Sequence, residues 1–326
     1  MSGPAKSGRD PSSDPLRERW TTNQGRALAE EAFRRLAAGE HLDGLPLARH
    51  EGRVDLRAVV GPHDPEVAWH RTRKMGEVTL EGLDLSGAEL PSWYWSRTTV
   101  LNCRFDGANI EDLGTWATRV EDTSFRGTRG QTRCLGAVSD GVHGVFRNVD
   151  FSRADLRVAN AGTADFVDCD FSHARTHKTH WGQARFIRCR FAGLVRENIW
   201  YGRSPFVDRA EPNEMEDVDF SAAELRWSEF RHLVLDRVRL PEDANHIIIR
   251  GDCRQVLVRL IEIVRSTQEL ALTGFAGGLD SMLAWLHREC RVQVFNVKDL
   301  AETDRGKGLL APLIRRVAAE VGATAT

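Results

Sequence analysis

Residues 164–191 read ADFVDCDFSHARTHKTHWGQARFIRCRF. Cut into fives, the stretch sets Phe166, Phe171, Thr176, Trp181, Phe186 and Phe191 at the centres of successive steps. Ala164, Cys169, Ala184 and Cys189 stand two places before Phe166, Phe171, Phe186 and Phe191. Neither the 3.6-residue period of a helix nor the two-residue period of an ordinary strand produces this spacing. A recurrence of large and small apolar residues every five positions, with Phe166 and Phe186 four steps apart, marks a repeat in which spatial neighbours lie twenty residues apart.

Working outward, the same step recurs in Leu83-Asp84-Leu85-Ser86-Gly87, Cys103-Arg104-Phe105-Asp106-Gly107, Ala108-Asn109-Ile110-Glu111-Asp112, Ala154-Asp155-Leu156-Arg157-Val158 and Ala223-Glu224-Leu225-Arg226-Trp227. A long succession of such steps in nearly constant frame, from about 78 to 242, resembles the pentapeptide-repeat family. The family's pattern is a small residue, Asp or Asn, Leu or Phe, and two polar residues. The resemblance implies a mainly β fold, a right-handed quadrilateral β-helix with one pentad per side, flanked here by α-helical N- and C-terminal regions. Coils at strand spacing, roughly eight of them, make a rod about 40 Å long. Phe105, Phe125, Phe146, Phe166, Phe186 and Phe206 are expected in one column, with one extra residue between 125 and 146. Phe151, Phe171 and Phe191 form a second. The other two faces are irregular: Leu156, Thr176 and Arg196 on one, Ala161, Trp181 and Tyr201 on the other.

The expected organisation is a disordered tail at 1–21, a helical cap region at 22–77, the coil at 78–245 and a mostly helical C-terminal cap or dimerisation region at 246–326. Thr22 or Asn23 would cap a helix over Gly25 to Ala38. Val256, Leu257, Leu260, Ile261 and Val264 form an apolar stripe from about Asp252, and further helices are expected at Leu279 to Arg288 and Leu309 to Val321, with an alternating segment at Val292 to Val297. Open coil ends expose unpaired backbone, so capping is favoured over dimerisation. Trp93-Tyr94-Trp95 reads as cap packing, and Gly274 to Gly278 and Asp304 to Gly308 as turns.

The 326-residue chain carries 45 Lys+Arg against 47 Asp+Glu, a net charge of −2 that lacks the footprint of a direct nucleic-acid binder. No apolar run approaches the roughly 18 residues of a membrane span, and the first twenty residues have no apolar segment, so a cytoplasmic location is expected. Six cysteines then read as reduced thiols. Cys169 and Cys189 could reach disulfide distance on adjacent coils, but small buried hydrophobes are favoured. No CxxC, GxSxG, HExxH or phosphate-loop pattern is present, and no metal or cofactor is assigned.

Arg196 at an inward position is costly unless the wall opens. A groove on the irregular faces is therefore expected to gather Asp140, His143, His177, His180, Trp181, Arg196, Glu197, Trp200 and Tyr201, with His180 beneath Trp200 and His177 beneath Glu197. The alternative is an enzyme or a binder of a small molecule or peptide that uses this groove, with His177 or His180 as base, Arg196 holding an anionic group, Glu197 beside them and Trp181 or Trp200 stacking on the ligand. The inert wall and the groove are weighed about evenly, and a non-enzymatic role is favoured. Characterised members of the family bind DNA gyrase or topoisomerase IV as DNA mimics, which implies a protein partner, gyrase foremost. The repeat, with 25 acidic against 21 basic residues between 78 and 242, is weakly anionic for that task. Its acidic positions are answered one coil on: Asp155 by Arg175, Asp165 by Arg185, Asp170 by Arg190. Glu211, Glu214, Glu216 and Asp217 form the one concentrated acidic patch, an expected partner contact. Homodimers through the C-terminal helices remain an alternative.

Overall fold

In the computed structural model, residues 14–61, 74–157, 161–203, 211–267 and 275–326 are described. From Glu77 to Gly127 every fifth residue (Glu77, Gly82, Gly87, Ser92, Arg97, Asn102, Gly107, Asp112, Ala117, Asp122 and Gly127) has a positive φ. Each is a corner, and the short pieces between corners pair in parallel with those twenty residues on, Leu80 with Val100 and Val100 with Val120. The result is a β coil of stacked parallel ladders, the longest running 79–81, 99–101, 119–124, 145–150, 165–167 and 185–187. The turns favour Asn, Asp and Gly because these tolerate left-handed backbone.

The coil interior is a stack of rings. Phe105, Phe125, Phe151, Phe171, Phe191 and Phe220 follow one another face to face at 4.7–5.4 Å. Phe146, Phe166 and Phe186 form a second stack at 5.0 and 5.1 Å. Two expectations need correcting. Phe125 belongs to the Phe151 column, and the Phe146 column continues downward through Val120, its register partner. The insertion is therefore six residues, not one. It leaves and re-enters the coil through Gly136 and Gly144, where a Cβ on Gly144 would stand 2.3 Å from the Gly136 Cα; only glycine allows that approach. Phe206 lies outside the described residues.

The small inward position does more than leave room. Cys103, Cys169 and Cys189 each direct Sγ to a carbonyl 23 residues earlier, those of Leu80, Phe146 and Phe166, at 3.4–3.5 Å. Thr98, Thr118 and Thr179 do the same with hydroxyls to Met75, Trp95 and Leu156. A small side chain with a weak or strong donor thus adds a hydrogen bond to a carbonyl of the preceding coil, using one of the two lone pairs that oxygen offers.

The N-terminal end is closed by the helix Asn23–Ala38, with Thr22 accepting from the Gly25 amide. Phe33 packs edge-on against Trp93 at 5.5 Å, with Trp93 and Trp95 buried in the same cluster. Of the expected tail, 1–13 lie outside the described residues, and 14–21 are structured: Pro15–Glu18 is helical and Trp20 is buried, its Nε1 donating to the Arg57 carbonyl. The reason is Asp55. This buried carboxylate takes two hydrogen bonds from Arg19 and further ones from Arg57. Burial pushes its carboxyl up, but the two guanidiniums outweigh burial and hold it well below the usual range. A depressed folded-state value stabilises the protein above the ordinary value of 3.8 and loses that contribution as pH falls below it. Asp55→Asn should flatten the acid limb of a stability-versus-pH curve below pH 4 while lowering stability at pH 7; an unchanged acid limb would show that the cluster is not linked to folding.

The C-terminal end is closed differently. Strand His246–Arg250 lies between Val292–Asn296 and Thr324–Ala325 in an antiparallel sheet. One face, with Ile248, Val292 and Val294, joins the coil core; the other, with Ile247, Ile249 and Phe295, packs under the helices Cys253–Ser266, Phe275–Trp285 and Asp304–Glu320. Phe275–Gly278 and Asp304–Gly308, read above as turns, lie in the first turns of two of these helices; Thr303 caps the latter by accepting from the Gly306 amide.

Candidate functional site

The sheet does not seal the coil on every side. Between the last coils and the C-terminal unit opens a cleft of about 1170 Å3. One wall is coil: Lys178, His180, Glu197, Ile199, Leu225 and 227–231. The other is the helix Phe275–Trp285 with the strand Gln293–Asn296 and the segment 299–303. Its surface mixes aromatic rings with ionic groups. Trp227 is 53% exposed. Arg231 lies over the Trp285 ring at 4.6 Å and the Tyr201 ring at 5.4 Å, and donates to Tyr201 Oη (2.7 Å) and Glu229 (2.6 Å). Such sandwiched guanidinium contacts fix both side chains.

The joint is held by side chains standing in for a missing coil. The Leu225 N–H, which a further strand would accept, donates to His246 Nε2 at 3.1 Å, and the Leu225 carbonyl accepts from Asn296 Nδ2 at 2.8 Å. Because Nε2 accepts, the proton of neutral His246 sits on Nδ1, 2.9 Å from Asp243. Asp299 accepts from the Trp227 amide and from Arg226 Nε.

Of the residues expected in a groove, His180 and Glu197 line this cleft. Trp181 and Trp200 do not: both are completely buried and stack on each other at 6.4 Å, with Trp181 Nε1 bonded to Asn198 Oδ1. Tyr201 is buried as well. Nor is Arg196 inward. The chain takes nineteen residues from Trp181 to Trp200, His180 pairs with Ile199, and Val195 fills the core position. Shortening one side by a residue turns Arg196 outward, where its Nε meets Glu197 at 3.0 Å, and removes the cost of a buried charge. His177 does reach Glu197, at 3.9 Å. Asp140 and His143 sit on the six-residue insertion, Asp140 paired with Arg97 and His143 with Thr163 at 2.8 Å, and do not line the cleft. Among the described residues no group of three or more His, Cys, Asp and Glu stands placed to hold a metal ion. Burial pushes the Cys103 thiol up to about 12 and Cys169 well above its ordinary value, so neither offers a thiolate.

The walls carry paired charge. Asp155 meets Arg175 at 3.2 Å one coil on, Asp168 takes two bonds from Arg188, and Asp165 and Asp170 stand in register with Arg185 and Arg190. In the acidic insert, Glu216 and Asp217 both pair with Arg237, at 3.1 and 2.8 Å, Glu214 is exposed, and the Glu211 carbonyl accepts from Gln183. Two of the four acidic groups thus share one arginine of the following coil.

No family model and no curated protein matches the chain. Among solved structures it is similar to full-length QnrB1, a plasmid-mediated fluoroquinolone resistance protein (13% identity, 54% of this chain and 91% of that chain, TM-score 0.21). It is also similar to HetL, a pentapeptide-repeat protein involved in heterocyst differentiation regulation from the cyanobacterium Nostoc sp. strain PCC 7120 (13% identity, 65% and 96%, TM-score 0.21). The corners at every fifth residue, the twenty-residue register and the stacked central rings decide the matter within this chain itself. The coil is a solenoid of five-residue steps with a twenty-residue turn. The cleft residues the sequence reading missed are Trp227, Phe230 and Arg231 on the coil and Trp285 and Asp299 on the C-terminal unit. A signal existed for Phe230: Ser228-Glu229-Phe230 is one more small–acidic–Phe step after Ala223-Glu224-Leu225. None existed for Trp285, which arrives from a helix outside the repeat. No described helix is long and apolar enough to cross a membrane.

Proposed function

We propose that the chain is a protein-interaction module: a stiff repeat coil, taken as the right-handed quadrilateral β-helix its pentads imply, that holds a partner protein rather than transforming a substrate. The observation that carries this reading is the contrast between walls and joint. Ion pairs across coils mute the walls, whereas the joint presents an open aromatic cleft with an exposed Trp227. Exposed aromatic residues beside a fixed arginine are the composition of binding hot spots.

The finer form of the proposal is a cytoplasmic modulator or protector of a type II topoisomerase such as DNA gyrase, as in self-resistance to antibiotics or toxins, and it rests on the resemblance of the pentads. With Asp168, Asp155 and Asp217 each neutralised by arginine, an effect on gyrase would come from specific contacts rather than from a DNA-like potential. Supercoiling by purified gyrase, titrated with the protein with and without a quinolone, tests it. Inhibition, or relief of quinolone inhibition, is expected; no effect at stoichiometric excess removes the topoisomerase form and leaves the module.

A further inference from the structure

The aromatic column on one side of the coil runs Trp181, Trp200, Phe230, the last two rings stacked at 4.9 Å and 8°. Phe230 ends it, half-buried and facing the cleft. Its backbone is also at an end. Among the described residues the strand Glu229–Arg231 pairs on one edge with Ile199–Tyr201 and with nothing on the other. The Glu229 N–H donates to Asn198 and the Arg231 carbonyl accepts from Gly202, so these two residues face the preceding coil. In a parallel ladder the residue between them turns its N–H and C=O the other way. Among the described residues no hydrogen bond reaches either group of Phe230. Its neighbours on the same rim are all satisfied by the C-terminal unit: Leu225 by His246 and Asn296, Trp227 by Asp299, His232 by the Trp285 carbonyl.

We infer that the cleft receives an extended segment of a partner protein as one further rung on the Glu229–Arg231 strand, with an aromatic or branched aliphatic side chain of that segment over the Phe230 ring. The chemistry is that of strand addition: main-chain bonds to an open edge set the alignment, and a pocket for alternate side chains sets the choice. Here the pocket is the open end of the Trp181, Trp200, Phe230 column, and the facing helix supplies Met282 and Trp285. This deepens the interaction-module reading and rests on it, but is independent of any topoisomerase.

Gly278 gives the test a clean blocking variant. It lies in the helix Phe275–Trp285, lines the cleft, and a Cβ there would meet nothing within 4 Å. Gly278→Phe should fill the space without disturbing the core. The probe is a fluorescein-labelled heptapeptide, Ser-Val-Thr-Phe-Thr-Val-Ser, read by anisotropy against the full chain, with analogues N-methylated at the central phenylalanine and at each residue beside it. Saturable binding is expected, weakened about tenfold or more by at least one N-methyl group and by Gly278→Phe, whose melting temperature is not lowered. Equal binding of all N-methyl analogues, undiminished binding to Gly278→Phe, or no saturation by the parent peptide each overturns strand addition. If the peptide fails while gyrase still responds to the protein, the cleft reading falls and the module stands; peptide binding without a gyrase effect leaves the cleft and removes only the topoisomerase form.

Discussion

Trp200→Ala is expected to lower the unfolding free energy by about 3–5 kcal/mol, the loss typical of truncating a large ring in a close-packed interior. Trp200 is completely buried, stacked flat between Trp181 and Phe230 and met edge-on by Phe191 at 5.9 Å and Phe220 at 5.5 Å. Continuous parallel ladders leave the backbone little freedom to collapse into the space, so the cavity persists. The Trp200 Nε1 has no hydrogen-bond partner among the described residues, so nothing polar is forfeited. Trp200→Phe should therefore lose much less, below about 1.5 kcal/mol. Trp181→Phe breaks the bond to Asn198 and leaves its carbonyl oxygen unmatched, adding about 1–3 kcal/mol. Urea denaturation separates these cases. A midpoint for Trp200→Ala equal to that of Trp200→Phe would mean that the column does not carry the stability assigned to it.

The second large effect is at the joint. His246→Ala should destabilise by about 2–4 kcal/mol: about 1–3 for a buried Leu225 N–H left without an acceptor, and more for the space vacated by a side chain that is wholly buried. His246→Phe separates the two causes, since it restores bulk but no acceptor. Hydrogen exchange gives the local reading. The Leu225 amide should lose protection in both variants, while the Phe166 amide, several coils away, keeps it. Full protection of Leu225 in His246→Ala would show that the C-terminal sheet is held on by apolar packing alone.

The two effects divide the molecule along the line between what repeats and what does not. Steps of five with a Phe or Leu at the centre leave the chain few choices, because each centre can be buried only if the next coil covers it. Phe146, Phe166 and Phe186 could be placed in one column from spacing alone, as could Asp155 opposite Arg175. Errors arise where the period breaks. Counting residues between Phe125 and Phe146 gives twenty-one and suggests a slip of one, whereas the chain inserts six and exchanges the columns. Arg196 falls on the five-residue count but not in the core, because charge drives the register to shorten by one and Val195 takes its place.

What the sequence alone determined is the coil, its interior columns and the self-neutralising charge of its walls, since all three follow from a local period repeated many times. What tertiary structure decided is the cleft. Phe230 belongs to the repeat, but Trp285, Asn296 and Asp299 come from a non-repeating unit whose approach no period encodes. That the Leu225 and Trp227 edges are capped while Phe230 stays open depends on how the sheet Val292–Asn296, His246–Arg250, Thr324–Ala325 lies across the coil end. Long-range packing of Ile248, Val292 and Val294 onto the last rings fixes that placement.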